Sequence, residues 1–560
     1  MNRYNHFSMQ IITDFVFLCI VIFLCPMPQH IYTDSIYAST HVNWDSLTDN
    51  KSEELHITYM GTPYFPNASE CGYIELMLEN RFNIQFEPVF LDLNAYQQTK
   101  PLMLAAGSAP DVWGEADPIT LQQAIRHNLI MEIPYDLIKQ HAPNYVKIIN
   151  SFAPQSWLFS YAQGKNYGVP TIWTDGIYPY QCIWRKDWLN NVGIKKTPET
   201  LEEMYAALYM FRHCDPDKNG KKDTYGLTTN YDWWWMQFSE IFGASGVLPY
   251  DWTIHDGKIV WGGVLPETKS TLKLLHKWYA DELIDPDFII NKNEDAEERA
   301  FVSGRVGYAC GATSHGAASF DNFDETAPAS LVSKLHTLCP DAQITIGVLP
   351  LGPQGKRGIR VWGGGGNIFV FSARLNNHPQ KILRILVMWE QMCTDPNLFI
   401  ESKAGKRTVH WDYRNNANAS GGLKLLPPYD NPHRATAAVV NLSLGGGPYW
   451  NPCGAMPIFL EQFYSQKEIA FNQAHRNPAL GLKDVFLKPD VVPSAGKYLR
   501  VLRERQKTVF AQIIRGDKPI EAFDNFVREW YDRGGQKMTD DANLLYKQLS
   551  NISQKVITGD

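Results

Sequence analysis

LHITY at Leu55–Tyr59, GYIELMLENR at Gly72–Arg81 and IQFEPVF at Ile84–Phe90 stand in succession near the start of the chain. The first alternates apolar and polar residues, the second spaces its apolar residues at helical intervals, and the third alternates again. Strand, helix, strand is the opening of a parallel α/β sheet. PLMLAAGSAPDVWGEAD (Pro101–Asp117) continues the pattern: a helix ending at Gly107, a turn at Pro110 and a short strand around Val112. Trp113, Gly114, Glu115 and Asp117 are thereby expected at the carboxyl edge of the sheet, where open α/β folds place their ligands.

Working outward, Gly164–Ile194 reads as two extended runs broken by Gly176 and Pro179, followed by a helix with Trp188 and Leu189 on its apolar side. Thr200 and Glu203 form a capping box that starts the next helix. Thr271–Leu283 and Pro379–Met392 place apolar residues at i, i+3 and i+4, so they too are expected as helices, and Trp188 and Trp278 belong to the core.

A chain of 560 residues exceeds what one ordinary core supports, and two domains are expected. Hydrophobic residues make up 44% and charged residues 20%, the balance of a soluble globular protein. The apolar run Phe15–Cys25 behind Arg3, with Ile36-Tyr37-Ala38 before Ser39, predicts a secretory signal peptide over residues 1–38 and a periplasmic or extracellular location. Seven cysteines follow that leader without CxxC or Cys/His metal spacing, so neither a zinc site nor a dense disulfide framework is expected, and at least one free thiol is. A net charge of −7 without a basic block gives nucleic acid no electrostatic footprint.

DPDKNGKKDTYG (Asp215–Gly226) sets acidic and amide side chains at every second position. Position twelve is Gly226, not the bidentate Glu of an EF-hand. Asp215, Asp217, Asn219, the Lys221 carbonyl and Asp223 nevertheless supply five oxygens for a hard cation, with Thr224 offering a sixth and Gly220 allowing the sharp turn. Calcium in a structural role is the expected occupant, and an Asx-rich turn without metal is the alternative.

The order SAPDVW (108–113), GKNYGVP (164–170), WRKDWLNNVGIKKTPETLEEM (184–204), DPDKNGKKDTYG, ELIDPD (282–287), FVSGRVG (301–307), IGVLPLGPQGKRG (346–358) and GDKPIEAFDNFVREWYDRGGQKM (516–538) resembles the extracellular solute-binding proteins of family 1. These are receptors of carbohydrate ABC importers, and the loop at 215–224 is similar to that of calcium-bearing alginate-binding members. The resemblance implies a two-lobed α/β fold of the periplasmic-binding-protein type 2, acting as a monomer that closes on an oligosaccharide and hands it to membrane permease subunits. On this sequence it implies one lobe over 39–173 and 301–359 and another over 178–293 and 368–560. Gly176, Pro179 and Gly363–Gly366 are the hinge candidates, an ordinary surface loop being the plainer reading of the glycine run.

Sugars offer apolar C–H faces to aromatic rings and hydroxyls to fixed polar groups. With 17 Trp, 27 Tyr and 27 Phe, the chain has rings to spare. The resemblance directs Trp113, Glu115, Trp173, Asp175, Tyr178, Trp234, Trp362, Trp411 and Trp450 to the cleft, while Arg185, Lys186, Arg305, Arg357, Arg360 and Arg407 are available to an acidic glycan. Trp233, Trp234 and Trp235 cannot all face one way on a helix or strand, so part of that run is expected in the core. The rival reading is a secreted glycoside hydrolase or lyase using a carboxylate pair drawn from Glu115, Asp117 and Asp175. A bilobal adhesin or sensor is a third. No GxSxG or HExxH signature favours the enzyme.

Overall fold

In the first strand, β1 (Leu55–Gly61), Leu55, Ile57 and Tyr59 are buried while His56 is exposed, which is the alternation read from the sequence. The structure is a computed structural model describing residues 42–61, 73–90, 93–172, 174–291, 295–310, 323, 330–365, 367–414, 422–429 and 465–558. The expected leader lies outside these residues. No described helix is long and apolar enough to cross a membrane.

Helix α1 (Tyr73–Phe82) carries the chain from β1 to β2 (Ile84–Phe90), which pairs with β1 in parallel from Leu55↔Ile84 to Gly61↔Phe90. Helix α2 (Leu93–Ala105) then leads to β3 (Val112–Glu115), parallel to β1 on its other side. Two further strands, β4 (Val169–Pro170) and β9 (Ile368–Phe371), complete a five-stranded sheet in the order β2-β1-β3-β9-β4. A second sheet has β5 (Cys182–Arg185) at its centre, flanked antiparallel by β6 (Tyr308–Cys310) and β7 (Ile344–Gly347).

These pairings correct the expected lobe boundaries. Residues 308–310 and 344–347, expected with the first lobe, hydrogen-bond to β5 of the second. Residues 368–371, expected with the second, pair with β3 and β4 in the first. Helix α6 (Gln380–Thr394) follows β9 onto the first sheet, where Trp389 stacks on Phe369 at 5.0 Å. The described parts of the first lobe are therefore 42–172 and 367–429, and those of the second are 182–360 and 465–558. A strand arriving from far along the chain bears no local mark of which sheet it will join, because its apolar pattern suits either.

The second lobe is built on Trp. Thr200 caps α4 (Leu201–His213) with the full capping box, as read from the sequence. Trp188 and Trp278 are fully buried, the latter on α5 (Pro266–Ala280). Trp252, Trp261 and Trp530 pack together with ring centroids 5.2–6.4 Å apart, and the Trp261 indole donates to Gln506 of α7 (Ala495–Arg515) at 2.7 Å.

Between the lobes the first crossing, from β4 to β5, and the second, which ends at β9, run side by side. The Gly363 N–H donates to the Gly176 carbonyl at 2.8 Å, and the Val361 N–H to that of Leu482 at 2.7 Å. The latter bond extends a two-stranded pairing of β8 (Ile359–Arg360) with β10 (Gly481–Leu482). Gly363 and Gly364 hold φ of 86° and 82°, which side chains rarely adopt, and a Cβ on Gly365 would stand 1.9 Å from Ser156 Oγ. The glycines are packed into the junction and do not form an exposed loop. Of the expected hinge glycines, Gly366 lies outside the described residues.

Candidate functional site

The segment Tyr231–Gln237 is a turn, which is why three consecutive Trp can act together. Asn230 Oδ1 accepts the N–H groups of Asp232 and Trp233, and Gln237 Nε2 donates to the Tyr231 carbonyl at 2.6 Å. Trp233 and Trp235 stack at 5.8 Å, while Trp234 meets Trp235 edge-on at 4.9 Å and rests on Tyr250. All three are half-buried, so the run divides its faces between core and surface within each residue.

That turn reaches the crossings through Trp362, whose ring lies 5.9 Å from Trp235 and whose indole donates to the Tyr180 hydroxyl at 3.3 Å. Guanidinium groups lie over two of these rings, Arg360 over Trp362 at 4.8 Å and Arg503 over Trp234 at 4.3 Å, and Arg476 lies over the separate Tyr178 ring at 5.2 Å. Arg360 is held by Asp251 at 2.9 Å and Arg503 by Asp490 at 3.0 Å, so both planes are fixed in advance. Asp484, beside them, has its carboxyl pushed well up by burial and by the Asp251 charge. The result is a continuous tract of half-buried aromatic faces with rigid N–H donors where the lobes join.

Of the residues expected in a cleft, Trp234 and Trp362 come together here through Trp235, while Tyr178 is half-buried under Arg476. Trp113 does not: it is 1% exposed and packed in the core. Trp411 is likewise buried, its indole donating to the Gly405 carbonyl at 2.7 Å. Glu115 is 2% exposed and paired with Lys100 at 2.8–2.9 Å. Trp173 and Trp450 lie outside the described residues, as does the Asp175 side chain. Among the basic candidates only Arg360 joins the tract. Arg185 is tied to Asp187, Arg305 to Asp285, Arg357 to the Glu199 carbonyl and Arg407 to Asp412. Sequence reasoning passed over Tyr180, Arg476 and Arg503, whose neighbours in the chain give no sign of the rings they face.

The carboxylates of the enzyme reading are engaged structurally where they are described. Asp117 caps helix α3 (Pro118–Arg126) by accepting from the Ile119 and Thr120 N–H groups, and Glu115 also accepts from the Ala116 and Asp117 N–H groups. Lys488 reaches from the second lobe to the Ala116 carbonyl and to Asn367 Oδ1. Burial pushes its ammonium down to about 8. A separate cavity of about 580 Å³ lies along α3, between Phe159, the 161–164 hairpin and Val491–Pro493. Its lining lacks every ring of the tract.

In the acidic loop, Asp215 accepts from the Asn219 and Gly220 N–H groups, and Asn219 Nδ2 donates to Asp217 at 2.8 Å and to Asp223 at 3.2 Å. Burial, and then the adjacent Asp223 and Asp215 carboxylates, push the Asp217 carboxyl up. Among the described residues no three His, Cys, Asp or Glu side chains are arranged to hold a metal ion, because these carboxylates are turned onto N–H groups. The carboxylates of Asp217 and Asp223 meet at one point, the Asn219 Nδ2 that donates to both, while Asn219 Oδ1 accepts from the Lys221 N–H at 2.7 Å. Thr224 is buried, and its hydroxyl donates to the Phe211 carbonyl, so it is not directed at that point.

The family described as bacterial extracellular solute-binding protein matches residues 73–333. The polygalacturonan/rhamnogalacturonan-binding protein YtcQ of Bacillus subtilis is 28% identical over 300 residues, 52% of this chain and 54% of that protein. The chain thus spans about half the length of this curated relative. Among solved structures, the Streptococcus pneumoniae ABC-transporter substrate-binding protein FusA, in complex with kestose, superposes with a TM-score of 0.62 at 17% identity over 89% of this chain and all of that one. The alginate-binding protein AlgQ2, solved without calcium ion, gives 0.60 at 16% over 89% and 99%. The fold is that of two-lobed solute-binding proteins, and the resemblance carried by the ordered motifs is borne out.

Proposed function

We propose that this chain is an extracytoplasmic solute-binding protein that captures an oligosaccharide where its lobes join and delivers it to the permease subunits of an ABC importer. The observation that carries the reading is the aromatic tract at the crossings, Trp235–Trp362–Tyr180, with Arg360 held against it. Rings fixed by guanidinium planes suit the apolar face of a pyranose or furanose, and the N–H donors suit its hydroxyls. YtcQ and FusA, the one named for polygalacturonan and rhamnogalacturonan and the other solved with kestose, support a saccharide as the ligand class. A glycan array identifies the sugar. Trp362→Ala is expected to weaken its binding by about tenfold to a hundredfold, the effect of removing one aromatic anchor of about 1.4–2.8 kcal/mol. Titration calorimetry measures this, and an unchanged affinity would move the site elsewhere.

Calcium is proposed for the 215–223 loop, bound by Asp215, Asp217, Asn219, the Lys221 carbonyl and Asp223, in a structural role. The all-oxygen donors and the mutual repulsion felt by Asp217 support it. A cation that binds the folded form raises the melting temperature with its concentration. Free calcium is expected to do so for the native protein and not for Asp215→Ala/Asp223→Ala, with sugar affinity nearly unchanged. A melting temperature indifferent to calcium, with no metal in the purified protein, would leave the loop a plain turn.

A further inference from the structure

Cys182 and Cys310 face each other across β5 and β6, directly opposed in the antiparallel register. The Arg185 N–H donates to the Gly307 carbonyl at 2.9 Å. Counting from that hydrogen-bonded pair, 183–309 is the next, and 182–310, like 184–308, falls in a non-hydrogen-bonded position. There, opposed Cα atoms approach to about 4.5 Å, inside the range that a disulfide spans. The two Sγ atoms are 3.6 Å apart, and the side chains are 1% and 5% exposed. Closing to the bonded distance of about 2.05 Å needs only a small rotation of each thiol toward its partner. The surroundings are otherwise apolar or acidic: Tyr308 directs its hydroxyl at Cys182 Sγ at 3.1 Å, Glu240 lies behind Tyr308, and Glu297 accepts the Cys310 N–H. Cys393 is disulfide-bonded, while Cys182, Cys214, Cys310 and Cys339 are free thiols.

We propose that Cys182 and Cys310 form a disulfide, closed by thiol–disulfide exchange as the chain folds in an oxidising compartment. The thiolate of one cysteine attacks an external disulfide, a small-molecule or protein oxidant, and expels one of its sulfurs as a thiolate. The thiolate of the second cysteine then attacks the protein sulfur of the mixed disulfide and expels the other. Two protein thiols and one external disulfide become one protein disulfide and two external thiols, the two protons passing to the released thiolates. Exchange belongs to the folding chain because in the packed sheet burial drives the Cys310 thiol far up and keeps it protonated and inert. The bond joins positions 128 residues apart and fastens β5, the first strand after the first crossing, to β6. It therefore stabilises the second lobe chiefly by restricting its unfolded chain.

The test is to refold the full chain in a buffer of oxidised and reduced glutathione, alkylate remaining thiols under denaturing conditions and map the peptides without reduction. The expected result is a linked peptide pair containing Cys182 and Cys310, two hydrogens lighter than the separate peptides, with Cys214 and Cys339 alkylated. The oxidised protein should also melt about 5 °C above the same protein refolded with a phosphine reductant, beyond any difference shown by Cys182→Ala/Cys310→Ala. Recovery of alkylated Cys182 and Cys310 from protein in which the Cys393 disulfide has formed would overturn the proposal. So would a melting difference equally large in the double variant.

Discussion

Arg384→Ala will lower the stability of the protein by about 3–5 kcal/mol, near the upper end of what single substitutions produce. Arg384 is 2% exposed on α6. Its guanidinium binds Asp49 at 2.8 Å and donates to the Phe82, Asn83 and Asn50 carbonyls at 2.6, 3.0 and 2.8 Å. One side chain thus ties the segment entering β1 and the turn between α1 and β2 to the helix behind the first sheet. Truncation strands a buried carboxylate and several carbonyls without donors. Arg384→Lys should rescue little of this, because an ammonium lacks the planar fork that serves these acceptors at once. Urea unfolding followed by far-ultraviolet circular dichroism reads the loss; a midpoint within error of the native protein would contradict it.

The second large effect is a dependence of stability on pH. Glu240 is 3% exposed behind the second sheet, and burial pushes its carboxyl up to about 7 despite hydrogen bonds from its own backbone N–H and from the Tyr308 hydroxyl at 3.4 Å. Glu297 nearby is pushed well above the usual range by the same cause. Both folded values lie above the unfolded ones, so the folded state holds extra protons from about pH 4.5 upward, the one on Glu240 up to about pH 7. Stability therefore falls as pH rises through that window, by about 3 kcal/mol from Glu240 alone. Glu240→Gln, which keeps the shape without the charge, should flatten this part of the profile. Denaturation midpoints at pH 5 and pH 8 give the difference, and a native protein more stable at pH 8 than at pH 5 would show the sign to be wrong.

What the residues declared in advance, and what they withheld, follows from the range over which each signal acts. The β1-α1-β2 unit and the capping box at Thr200 and Glu203 were legible because alternation, helical spacing and capping are relations between near neighbours. Trp188 and Trp278 were legible as core for the same reason: each sits on the apolar face of its helix. The placement of β6, β7 and β9 was not, since a strand of three or four apolar residues suits either sheet and the choice is made by distant partners. Trp113 and Trp411 were misassigned because a ring at the end of a strand or in a short hairpin has no periodic context to say which way it turns. Trp234 and Trp362 do lie in one aromatic tract, but the ring and cations packed on them come from Tyr180, Arg360 and Arg503, far apart in sequence. The acidic loop was legible as a donor pattern, while the turning of its carboxylates onto Asn219 and nearby N–H groups is a property of three-dimensional packing.

Everything proposed for the aromatic tract requires that this protein hold a saccharide without changing it. Native mass spectrometry of the full chain, after prolonged incubation with plant, algal and fructan oligosaccharides of defined length, reads both halves of that statement at once. The expected outcome is a one-to-one complex whose bound mass equals that of an intact input oligosaccharide, with the free pool undiminished in length. Accumulation of shortened or unsaturated products, or the absence of any saccharide complex, would refute it.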